Sequence, residues 1–167
     1  MYFRTRPGTF FFGLIVLIMG LSSCNTTKYL EPEERLLVKN DIRFVETKKL
    51  KNKRKLKYEL SRLHKQTPNS NFFFIPREWF HYRIQHKTDT SKFDRWVNRV
   101  LAEEPAIHSR KRAETTAEDM ERYMNYMGYF NAEVYFTPAV NKADNKVKIT
   151  YYVEPGQQLL IDSTVYS

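Results

Sequence analysis

At Gly128 the apolar period of the chain changes, and that change restricts the fold more than any other feature. Before it, Met120, Tyr123, Met124 and Met127 recur at helical spacing. After it, Ala132, Val134 and Phe136 alternate with Glu133, Tyr135 and Thr137. Asn141 to Asn145 is a polar turn, and Val147, Ile149, Tyr151 and Val153 then alternate with Lys146, Lys148, Thr150 and Tyr152. Glycine past the last helical turn is placed for a left-handed cap. Two period-two runs joined by a short turn predict a β-hairpin. Pro155-Gly156 closes its second strand. Such a hairpin has one apolar face, which helices must cover, so an α+β fold follows.

The upstream residues supply those helices and a further strand. Ile42-Arg43-Phe44-Val45-Glu46 alternates and predicts a strand with one buried face. A basic run from Lys48 to Lys57 leads into Leu56, Leu60 and Leu63, spaced as a helical stripe. Lys53, Arg54, Lys57, Arg62 and Lys65 fall on the remaining faces and read as a solvated surface. Thr67-Pro68-Asn69 is expected to end that helix, because proline lacks a donor and biases the residue before it. A later helix is expected to open on a capping box of Thr115 and Glu118.

Between these two helices lies an aromatic stretch. Asn71-Phe72-Phe73-Phe74-Ile75-Pro76 is followed by Trp79, Phe80 and Tyr82. A short helix is expected from Pro76 to Gln85. These rings are expected to cover a core rather than to touch a membrane or partner. Ser91 suits a helix cap, and Phe93, Trp96, Val97, Val100 and Leu101 make a helical stripe. Trp96 is expected inside. The predicted order is strand, helix, helical insertion, helix, strand, strand: a two-layer α+β domain.

The first residues carry an address. Arg4 and Arg6 precede an apolar run from Phe10 to Leu21, which is too short to span a bilayer comfortably. Leu21-Ser22-Ser23-Cys24 then resembles a lipobox. Residues 1–23 are accordingly expected to be a signal peptide, with diacylglycerol and N-acyl lipid attached to Cys24. Cys24 is the sole cysteine, so no intramolecular disulfide can form. Residues 24–39 read as a lipidated tether, 40–156 as the α+β domain with its insertion, and 157–167 as the first strand of a following unit. The net charge of +9 suits anionic lipid or an acidic partner. A secreted chain rarely meets nucleic acid, which argues against that partner.

Catalytic and metal-binding constellations are not visible. His64, His81, His86 and His108 have no spacing that gathers them on one helical face, and no thiol or carboxylate completes a set. His64 reads as a surface helix residue. No phosphate-binding glycine loop is present. The chain is therefore read as non-enzymatic, with no cofactor beyond the covalent lipid.

The order βααββ resembles that of a POTRA domain, the periplasmic module of the BamA/TamA (Omp85) family. Met127-Gly128-Tyr129-Phe130-Asn131-Ala132-Glu133-Val134 resembles that family's passage from second helix to second strand. Val147 to Gly156, with Leu159-Leu160-Ile161, resembles its third strand and the approach to the next module. The lipobox, Thr27-Lys28-Tyr29-Leu30, Gln66-Thr67-Pro68-Asn69 and Glu104-Pro105 are similar to the family's TamL-like lipoprotein branch in Bacteroidota. The resemblance spans most of residues 18–166. It implies a lipid-anchored arm on the periplasmic side of the outer membrane, engaged in outer membrane protein assembly. It implies a TamB-like periplasmic partner or unfolded outer-membrane protein clients. Asn25, in place of aspartate after the cysteine, agrees with the outer membrane. Family members end in a membrane β-barrel, and no barrel strands are present here, so insertase activity is not carried over.

Binding is expected by β-augmentation, in which an extended chain adds to an open strand edge. The candidate edge is Ala132, Glu133, Val134, Tyr135, Phe136 and Thr137. The alternative is a freestanding structural or envelope-stress lipoprotein, which reading the gene past Ser167 distinguishes. A lipid-dependent enzyme subunit using His64 or His108 is a third reading.

Overall fold

A computed structural model describes residues 26–45, 50 and 52–159. The signal segment, Cys24 and residues 160–167 of the expected following strand lie outside them. In chain order the elements are a short 3-10 helix (Thr26–Tyr29) within the segment read as tether, β1 (Leu36–Phe44), α1 (Lys53–Ser61), β2 (Asn71–Phe72), β3 (Ile75–Pro76), α2 (Arg77–Gln85), α3 (Lys92–Val100), α4 (Arg110–Tyr126), β4 (Glu133–Asn141) and β5 (Lys146–Glu154). They fall into two compact units. Residues 30–69 and 104–159 make the larger, and residues 26–29 and 70–103 the smaller.

The larger unit is the α+β domain. Its sheet runs β1-β5-β4, with β5 parallel to β1 and antiparallel to β4. A parallel neighbour needs a long crossover, and α1 and α4 lie within it. The inward side of β5 presents Val147, Ile149, Tyr151 and Val153, all nearly inaccessible. Against them pack Leu56 and Leu60 of α1, and Ala113, Ala117, Met120 and Met124 of α4. Each fully buried Val, Leu, Ile or Met side chain among them contributes about 1.5–3 kcal/mol. The β4–β5 hairpin and its register agree with the alternation in the sequence.

Three boundaries differ from expectation. β1 starts at Leu36, not Ile42, and so reaches back into the segment read as tether. A register shift between Leu37 and Lys39 inserts an extra residue, which breaks the period-two pattern that would have revealed the earlier start. α1 ends at Ser61, before Thr67-Pro68-Asn69. The Lys65 amide instead donates to Thr116 Oγ1 at 3.0 Å. α4 begins at Arg110 after Ser109, so Thr115 caps nothing. Its hydroxyl donates to the Lys111 carbonyl within the helix. Arg110 to Glu114 are nearly all good helix formers, so the helix extends upstream of the expected cap. His64 is also misplaced by expectation: it follows α1, is half-buried, and lies 5.2 Å from the Tyr151 ring.

Gln66 and Asn69 organise the point where the chain leaves this unit. The Gln66 side chain donates to the Ile107 carbonyl and accepts from the Ser109 amide. Asn69 Nδ2 donates to the Glu104 carbonyl at 2.6 Å, and its Oδ1 accepts from the Ala106 amide at 2.7 Å. Exit and return are thus held side by side.

The smaller unit joins its own ends in the same way. Glu103 accepts from the Ser70 amide at 2.9 Å and from Arg77 Nη1 at 2.6 Å. β2 and β3 form a tight hairpin that alternation did not predict, being only two residues per strand. α2 spans the expected helix, with Pro76 preceding its first residue. Ser91 and Asp94 form a capping box on α3. The aromatic residues divide: Tyr82 is buried and Trp79 and Phe80 are half-buried, as expected, whereas Phe73 is 81% exposed and Phe74 96%. Trp96 is 47% exposed, and Val97 rather than Trp96 turns inward. A helical stripe marks a face, but not whether anything covers it.

Candidate strand-pairing edge

β4 is one margin of the three-stranded sheet, and no strand pairs with its outer side among the described residues. The other margin, β1, is occupied at its start. Leu36 bridges Ile107, the Leu37 amide donates to the Ala106 carbonyl, and His108 donates to the Arg35 carbonyl. An edge strand offers a row of unpaired amides and carbonyls, which is a template for another extended chain.

The candidate residues divide around β4. Glu133, Tyr135 and Thr137 are exposed, while Val134 and Phe136 are half-buried toward the core. Ala132 precedes the strand and is buried, with its amide donating to the Tyr129 carbonyl. Tyr135 stacks on Tyr152 at 5.2 Å and donates to Glu154. The edge also continues past Thr137 through Pro138, Ala139, Val140 and Asn141. Pro138 reads as a strand breaker, yet proline is tolerated on an edge strand because its missing donor need not face a neighbour. A proline within an alternating run is the sequence signal that points to a marginal strand or a bulge.

Beside this edge runs an open groove of about 430 Å³ between α4 and β4. Its strand side is Val134, Tyr135, Phe136 and Pro138. Its helix side carries Glu114, Glu118 and Glu121, near His108 and Arg110. Arg110 pairs with Glu114 at 2.9 Å, but Glu118 and Glu121 have no ion pair among the described residues. Burial holds the His108 imidazole below its ordinary pKa, so it stays neutral at pH 7. The groove is therefore apolar along the strand and negative along the helix.

No group of three or more His, Cys, Asp or Glu residues is arranged to hold a metal among the described residues. No helix among them is long and apolar enough to cross a membrane.

Residues 82–156 match the family model POTRA, described as a surface antigen variable number repeat. The match begins within α2 and ends at Gly156, so it includes α3, α4, β4 and β5 but not β1 or α1. No curated protein is significantly similar in sequence. Two solved structures are similar in shape. The POTRA4 domain of Haemophilus influenzae BamA is 17% identical, with TM-score 0.43, over 75% of this chain and 97% of that one. The POTRA3-5 segment of the same protein is 11% identical, with TM-score 0.31, over 83% and 76%. Residues 82–156 thus match the POTRA model, within an α+β fold whose larger unit has the order βααββ.

Proposed function

We propose that this chain is the periplasmic POTRA-type arm of an outer-membrane lipoprotein, acting in outer membrane protein assembly by pairing extended segments with β4. The observation that carries this reading is the free β4 edge beside an elongated groove. An incoming strand would take the outward amides and carbonyls of β4. Each such hydrogen bond contributes about 0.5–1.5 kcal/mol net, so several in a row give useful yet reversible affinity. Alternate side chains of that strand would lie over Val134 and Phe136, facing the Glu118 and Glu121 carboxylates. β4 has nine residues, and a membrane β-strand has about 9–11. An unfolded outer-membrane protein therefore offers segments of fitting length and alternation. The TamL-like resemblance supports a TamB-like protein as the standing partner, and acylation of Cys24 as the attachment to the outer membrane.

The test is site-specific photocrosslinking in cells from Thr137 and Ala139, with Thr150 of the central strand as control. Adducts from the two edge positions, weakened by Tyr135→Pro in a variant that keeps its circular dichroism, are expected. Equal adducts with and without the proline would defeat edge pairing. Mass spectrometry of the mature N-terminus checks the lipid on Cys24.

A further inference from the structure

The smaller unit presents apolar side chains outward at two places. At the β2–β3 turn, Phe72 pairs with Ile75, leaving Phe73 and Phe74 as the apex. Phe73 has φ +54°, a left-handed state unfavourable for a bulky residue and usual for glycine or asparagine. The chain thus holds two phenyl rings out where smaller residues would turn more easily. On α3, Phe93, Trp96 and Val100 form an outward arc, with Phe93 stacked on Trp96 at 5.9 Å. The next arc of the same helix is Lys92, Arg95 and Arg99, none with an ion pair among the described residues. Two acids of the unit are already neutralised: Asp94 by Lys87 at 2.5 Å, and Glu103 by Arg77 at 2.6 Å.

We propose that the smaller unit is a foot that seats on an anionic phospholipid surface through the Phe73–Phe74 apex and the outward arc of α3. An apolar arc bordered by cations is the pattern of a helix lying in a membrane interface. Tryptophan favours the headgroup level. The rings project from a turn and a convex helix, whereas a small-molecule or peptide site is concave. Chain continuity gives a second reason, and here the inference rests on the lipoprotein reading above. Tyr29 stacks on Tyr82 at 4.9 Å and on His86 at 4.5 Å, docking residues 26–29 on α2. Tyr29 stands five positions after Cys24, and at about 3.5 Å per step the two are no more than about 18 Å apart. Acyl chains on Cys24 would hold residues 26–29, and the α2 helix on which Tyr29 docks, within reach of the bilayer.

Both tryptophans of the chain, Trp79 and Trp96, lie in this unit, so Trp79→Phe leaves Trp96 as a sole reporter. The full mature protein is reconstituted into vesicles of phosphatidylcholine, with or without phosphatidylglycerol, containing brominated acyl chains. The expected result is quenching of Trp96 that needs phosphatidylglycerol and declines with salt. Replacing Lys92, Arg95 and Arg99 with glutamine is expected to weaken seating by roughly fivefold per charge removed. Phe73→Ser with Phe74→Ser is expected to reduce it at unchanged circular dichroism. A water-exposed, unquenched Trp96 in an acylated, vesicle-bound protein would overturn the foot and leave the lipoprotein reading standing. An unmodified Cys24 with quenched Trp96 would support the foot while refuting the anchor. Blue-shifted Trp96 emission without lipid, with a dimeric mass, would assign the face to a second copy and overturn the proposal.

Discussion

The Leu159 amide donates to the Gly128 carbonyl at 3.0 Å, and the Leu159 carbonyl lies 2.8 Å from where a Cβ on Gly128 would sit. The end of α4 and the chain leaving β5 are therefore in backbone contact at a residue with φ +89°. Any side chain at 128 meets both a strained backbone and a backbone oxygen that would have to shift. Gly128→Ala should destabilise the larger unit by about 1–3 kcal/mol, read as a lower urea midpoint at constant slope. Gln158 Nε2 donates to the Met127 carbonyl at the same junction, so Gln158→Ala should show a smaller loss in the same assay.

The methionines of α4 should differ in cost. Met120 and Met124 are fully buried, whereas Met127 is 39% exposed. Met124→Ala leaves a cavity against β5 and should cost about 2–5 kcal/mol. Met127→Ala should stay within about 0.5–1 kcal/mol, as surface changes do. Equal losses from both would mean that the packing of α4 on the sheet differs from that described.

How much of this was legible in the sequence depends on whether a residue's role is local. The β4–β5 hairpin was readable because alternation, polar turn and closing glycine all point to one structure over about 25 residues. The expected β1 is too short because one bulge puts the inward-facing Leu37 out of phase with Ile42. The expected edge stops at Thr137, whereas β4 runs on through Pro138 to Asn141, since proline is excluded from a central strand but not from a marginal one. Phe93, Trp96 and Val100 show the remaining gap. Periodicity identified their face, but burial depends on neighbours that no period encodes.

Gln66 and Asn69 are the strongest case of non-local meaning. They bind residues 104–109, some 35–43 positions away, and close the larger unit across the insertion. Gln66→Ala should strand the Ile107 carbonyl and Ser109 amide and cost about 1–3 kcal/mol. Because Asn69 already bonds Glu104, replacing residues 70–103 with a short Gly-Ser linker should leave the larger unit folded and cooperative. Loss of its near-ultraviolet signal or of a single thermal transition on excision would show that the insertion is needed for the core. Recovery of the fold would allow edge binding by β4 to be measured without the aromatic unit.

Acid should begin to weaken the larger unit at a higher pH than the smaller. Burial lowers the pKa of His64 and of His108 below 6.5, and His64 Nδ1 has no hydrogen-bond partner. A histidine depressed in the folded state binds its proton less readily than in the unfolded chain. Stability of the larger unit is therefore full above about pH 6.5 and declines as the pH falls toward the folded values. In the smaller unit Lys87, then Ser91, hold Asp94 down from 3.8 to about 2. Its contribution is present above 3.8 and is lost as the pH falls toward 2, with the capping box of α3. Two steps are expected: a declining thermal midpoint from about pH 6.5 downward, and a change in tryptophan emission below about pH 4. His64→Gln with His108→Gln should flatten the first and leave the second, since Trp79 and Trp96 report on the unit that holds Asp94. An unchanged slope in the double variant would remove the imidazoles as its cause, and an emission change that survives Asp94→Asn would do the same for the carboxylate.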